Sequence, residues 1–117
     1  MLRYTCGALV IAVIAGWGSA RADEVTAATL PDGRLEVFVV QGGKLLTSWA
    51  KDFNANASFT PLMPFNPIPT GTIESVAAGR LLDGRLQVWV MTSSGITTSH
   101  KESSDPNAGW SVWADFK

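Results

Sequence analysis

Slid against itself by 51 residues, the sequence aligns without a gap. Asp32-Gly33-Arg34-Leu35-Glu36-Val37-Phe38-Val39 falls on Asp83-Gly84-Arg85-Leu86-Gln87-Val88-Trp89-Val90. Thr47-Ser48-Trp49 falls on Thr98-Ser99-His100, and Asn56-Ala57-Ser58-Phe59 on Asn107-Ala108-Gly109-Trp110. Fourteen of the 41 positions from Val25 to Phe65 are identical to their partners. A chain written twice must build one small unit twice, and repeats of about this size belong to arrays, solenoids and propellers.

Each unit reads as four short strands. In the first copy, Val25–Leu30 is apolar and threonine-rich, and Pro31-Asp32-Gly33 ends it with hairpin-turn chemistry. Arg34–Val40 is the strongest strand, β-branched and aromatic. Gln41-Gly42-Gly43 turns the chain into Lys44–Lys51. A weaker strand, Phe59–Phe65, is interrupted by Pro61 and Pro64, which suits a sheet edge. The second copy repeats the plan in Ser75–Leu81, Arg85–Met91, Ile96–Lys101 and Trp110–Phe116. Residues 23–65 and 75–117 are the two units, and 66–74 links them.

Side chains alternate across a strand. Leu35, Val37 and Val39 therefore oppose Glu36, Phe38 and Val40, and Leu86, Val88 and Val90 oppose Gln87, Trp89 and Met91. A sheet with one wet face alternates apolar and polar; here both faces are mostly apolar. That pattern predicts sheets covered on both sides, as when four-stranded sheets stack around an axis in a β-propeller. The expected fold is all-β, two four-stranded antiparallel propeller blades.

Residues 1–22 read as a signal peptide. Arg3 is the positive n-region, Gly7 to Ala15 the apolar h-region, and Ala20-Arg21-Ala22 a cleavage site before Asp23. The apolar run ends near Trp17 and Gly18, short of the ~20 residues a bilayer span needs. The expected location is secreted or periplasmic, and a membrane-embedded protein is not expected. After cleavage all ten acidic and seven of the nine basic residues remain, a net charge of −3. That sign argues against nucleic acid as a partner. The sole cysteine, Cys6, goes with the leader, so burial and not a disulfide framework must hold the fold. Four tryptophans and five phenylalanines remain to supply much of that burial.

The D-G-R-L-E-V-F run at Asp32–Phe38 and D-G-R-L-Q-V-W at Asp83–Trp89 resemble the second-strand signature of bacterial β-propeller lectins of the fucose-binding, PLL-like type. N-x-G-W-S-x-W at Asn107–Trp113 resembles the loop and fourth strand of the same family. In the third strand this chain has Leu46-Thr47 and Thr97-Thr98 where family blades carry tryptophan and histidine. The resemblance implies a propeller that holds a glycan, fucose or a related sugar, between blades.

The candidate ligand residues follow from side-chain chemistry. Trp110 and Trp113, three apart, should face opposite ways in a strand, one to stack on a sugar and one to pack; the alternative is that both pack. Trp89 matches Phe38 and reads first as packing. Trp49 matches His100, the position where the copies differ most in chemistry. Arg34, on the same face as Glu36, could fork hydrogen bonds to sugar hydroxyls, as could Arg85 in the second copy; the alternative is that these residues satisfy strand ends. His100 is the only histidine, and with only Glu102 nearby it makes no metal site and no nucleophile–base pair. No cofactor and no catalysed reaction are expected. The expected function is a non-catalytic, lectin-like carbohydrate-binding module, with a structural or protein-interaction module as the alternative. Two blades cannot close a ring of ~4–8. A cyclic homo-oligomer is therefore expected, a trimer giving six blades, with ligand sites within and across chains.

Overall fold

The computed structural model describes residues 24–116. The expected signal peptide lies outside the described residues. Eight strands form two four-stranded antiparallel sheets. The first holds β1 (Glu24–Thr29), β2 (Leu35–Gln41), β3 (Lys44–Trp49) and β4 (Met63–Pro64). The second holds β5 (Ile73–Arg80), β6 (Leu86–Thr92), β7 (Gly95–His100) and β8 (Ala114–Asp115). In each sheet the strands lie in sequence order. The described chain is thus all-β, and the repeat builds the same sheet twice.

The turns show why the same residues recur. Gly33 and Gly84 sit at φ +97° and +91°, a backbone conformation that glycine adopts without steric cost. In both turns the aspartate accepts from the arginine backbone amide at 3.1 Å and from Nε at 2.7 Å. The register repeats as well. Glu36 stands opposite Trp49 and Gln87 opposite His100, while Phe38 stands opposite Thr47 and Trp89 opposite Thr98.

Three differences from the sequence expectation are physical. The fourth strand shrinks to two residues plus a single bridge, Ala50 with Phe59 and Lys101 with Trp110. Pro61 and Pro64 have no amide proton to offer a ladder, and between Trp110 and Ala114 the second copy is irregular too. The strand after the linker begins at Ile73, not Ser75, with a register shift between them. Ile73 donates its amide to the Gly43 carbonyl at 2.9 Å, which ties the linker's end to the first sheet. Finally, each sheet is fully covered on one face, not two.

The covered faces meet each other. Phe38, Val40, Leu45 and Phe65 of the first sheet pack into one core with Val76, Leu86, Val88 and Val90 of the second. Glu24 seals one edge by accepting the Val76 amide at 2.6 Å.

Candidate functional site

Beside this core a cleft of about 330 Å³ opens between the sheets. The first sheet contributes Arg34, Glu36, Thr47 and Trp49; the second contributes Lys101 and Trp110. Strand geometry explains the first group. Glu36 and Trp49 are cross-strand partners, and Thr47 lies diagonally from Glu36 on the same face.

Glu36 is only 3 % exposed. Its Oε2 accepts from the Thr47 hydroxyl at 2.7 Å, and Oε1 has no protein partner among the described residues. Burial pushes the Glu36 carboxyl up from its ordinary value, more than the Thr47 hydrogen bond and the Lys101 and Arg34 charges hold it down. Arg34 is anchored by its Nε on Asp32 and donates Nη1 to the Ala50 carbonyl at 3.3 Å. Burial raises Asp32, but the Arg34 amide and guanidinium outweigh it and hold the acid below its ordinary value.

Lys101 forms the opposite wall. It is 6 % exposed, and Nζ donates to the Pro106 and Ala108 carbonyls at 3.0 and 2.9 Å. Those bonds fold the 102–109 loop over the ammonium, which also lies 5.3 Å from the Trp110 ring centroid, in cation–π range. Burial lowers the Lys101 pKa despite the attraction of Glu36 and Asp105. Trp110 is itself held edge-on to Phe38 at 5.9 Å and tilted on Phe65 at 4.8 Å. One cation, one carboxylate, a second cation already paired, and two indoles therefore share a small pocket. Such a pocket suits a neutral ligand with an apolar face and several hydroxyls.

Of the residues singled out from sequence, Arg34, Glu36, Trp49 and Trp110 come together here. The other four lie elsewhere. Trp113 packs on Phe65 at 5.5 Å and donates Nε1 to the Pro67 carbonyl at 2.8 Å, fixing the linker. It therefore lies on the same side as Trp110, not opposite, because the chain between them is not a regular strand. Trp89 lies over Gly79, where an added Cβ would sit 3.5 Å from the ring. Arg85 pairs with Asp83. His100 bonds no cleft residue; its backbone amide donates to the Ser111 hydroxyl at 3.1 Å, and its Nδ1 stands 3.5 Å from the same oxygen. Lys101 was missed. Its burial comes from the 102–109 loop folding over the ammonium, which strand alternation does not report.

Among the described residues no group of three or more His, Cys, Asp or Glu side chains is placed to hold a metal, and no helix is long and apolar enough to cross a membrane. No protein-family model and no curated protein matches the chain.

Proposed function

We propose that this is an exported, non-catalytic carbohydrate-binding module, its sheets two propeller blades of a ring that further copies complete. The observation that carries the reading is the cleft between the sheets. There a buried carboxylate keeps one oxygen without a protein partner among the described residues, across the strands from Trp49, which is half-buried and lines the same cleft. Sugars are recognised by that pairing, a ring under the C–H face and a charged acceptor for the hydroxyls. The resemblance to fucose-binding propellers supports the same class of ligand, neutral and hydroxyl-rich.

A glycan array with the folded chain tests it. Binding to a neutral glycan should fall about two- to tenfold in Trp49→Ala, taking about 0.5–1.5 kcal/mol for an aromatic pair contact as the guide. Glu36→Gln should weaken it as well. A folded chain that binds no glycan removes the reading. One observation favours the alternative of a structural or protein-interaction module: Trp110 and Trp113 are both engaged with Phe65 and the core. Under that alternative Trp49→Ala changes stability and nothing else.

A further inference from the structure

The repeat makes the joint between the two sheets a template for a second joint. Shift the residues buried at that joint by 51, and five of them fall on exposed equivalents; Leu30, Phe38 and Val88 fall on half-buried ones, and Val90 falls on the buried Val39. Phe65 is 1 % exposed and Phe116 55 %; Val76 is 7 % exposed and Val25 62 %; Leu86 is fully buried and Leu35 is 45 % exposed. Val40 and Leu45 are buried, while their equivalents Met91 and Ile96 are exposed. The second sheet's free face thus repeats the half that the first sheet contributes to the joint. The first sheet's free face repeats the half that the second contributes. Two faces that already fit inside one chain are left uncovered, one at each end.

We propose that these faces are the contact between copies of this chain. The Met91, Ile96 and Phe116 face of one copy packs head-to-tail on the Val25, Leu35 and Phe59 face of the next. The inference rests on reading the sheets as blades of a ring, and it names the partner from the chain's own complementarity. A heterologous contact of this kind closes into a ring when the rotation per unit permits.

The joint would also build a second cleft of different chemistry. On one side stand Arg85, Gln87 and His100, where the internal cleft has Arg34, Glu36 and Trp49. On the other side Ala50 and Phe59 of the next copy replace Lys101 and Trp110. Buried ammonium and carboxylate are both gone, and an imidazole takes the place of an indole. An assembly of identical chains would then carry two alternating kinds of site.

Light scattering on the full chain tests the contact without any ligand. The expected result is one discrete mass, a whole multiple of the chain. Phe116→Asp and Leu35→Asp should each reduce it to a single chain with unchanged circular dichroism. In a Cys6→Ser background, Phe59→Cys combined with Phe116→Cys should give inter-chain products with a short bifunctional maleimide. The imidazole resonances of His100, the only histidine, should shift between the assembly and the Phe116→Asp variant. A single folded chain at tens of micromolar overturns the proposal. So does aggregate of no defined mass, or a discrete oligomer that survives both substitutions and yields no inter-chain product. An unshifted His100 in a true assembly overturns the second cleft. An assembly that binds no glycan sinks the carbohydrate reading and leaves the contact standing; a single chain that binds one does the reverse.

Discussion

Glu36 and Gln87 occupy the same place in the two copies, and their bonding to the facing threonine differs by one proton. Thr98 accepts from Gln87 Nε2 at 2.9 Å and donates to the Val88 carbonyl at 2.8 Å. Thr47 stands 2.7 Å from Glu36 Oε2 and 3.1 Å from the Val37 carbonyl. A hydroxyl has one proton to give. With Glu36 ionised, Thr47 gives it to the carboxylate and cannot also serve Val37. With Glu36 protonated, the acid donates to Thr47 and Thr47 to Val37, which reproduces the second copy's arrangement. This agrees with burial raising the carboxyl above its ordinary value of 4.5. Below that value the folded and unfolded chains both hold the proton. As pH rises through it, the unfolded chain releases the proton first, so stability falls until the folded carboxyl also ionises. Glu36→Gln should abolish that decline, so that urea unfolding between pH 4 and 8 shows the variant gaining on the wild type as pH rises. The lost attraction to Lys101 opposes the gain but is weaker than burial. Parallel curves for the two proteins would show that the carboxyl is not raised. Glu36 and Arg34 were legible from strand alternation, because Glu36 lies on the strongest strand and Arg34 immediately precedes it. Lys101 was not, since what buries it is the irregular 102–109 loop, whose carbonyls its ammonium bonds. That Trp113 and Arg85 lie outside the cleft was not legible, because side-chain chemistry says nothing about which copy of a repeated position faces a neighbour.

At the scale of elements, the first three strands of each sheet were legible to within two residues, because β-branched runs and glycine turns bound them. The fourth was not. Its two-residue ladder depends on contacts across the sheet and not on local preference, and prolines interrupt it in the first copy. The turns carry the clearest element-level prediction. At φ +97° a Cβ is strained whatever the free space around it. Gly33→Ala should cost about 1–2 kcal/mol, the penalty of a left-handed residue with a side chain. Gly84→Ala should cost a similar amount, since its turn has the same hydrogen bonds at the same lengths. Chemical denaturation of both variants checks this, and a neutral result at either position would mean the turn is not held as described. The aspartates of these turns titrate in the opposite sense to Glu36. The Arg85 amide holds Asp83 below its ordinary value of 3.8, with the guanidinium adding to it against burial. Whatever stability the Asp83 pair gives is present above that value and lost as pH falls through the lowered one. Asp83→Asn should therefore narrow the gap between stability at pH 5 and at pH 2.

The whole molecule is less symmetric than its sequence. Two nearly equivalent units predict two equivalent environments, yet the single core lies between the sheets, so each unit buries a different face. That asymmetry was not legible, because periodicity reports which residues share a face and not which face meets a partner. Both faces of β2 and of β6 looked equally fit for burial. The consequence is that one repeat position should behave as two. Phe65 and Phe116 are the same residue at the same place in their units, but Phe65 touches Phe38 and both Trp110 and Trp113 while Phe116 is exposed. Phe65→Ala should cost about 3–5 kcal/mol, the range for removing a fully packed aromatic from a core. Phe116→Ala in dilute protein should stay within about 0.5 kcal/mol of wild type, as surface substitutions do. Urea unfolding at sub-micromolar concentration reads the difference directly, because any self-association adds a concentration-dependent stabilisation that dilution removes. Equal losses at the two positions would mean that the core is not confined to the facing sheets, and that the units fold as two separate and equivalent bodies.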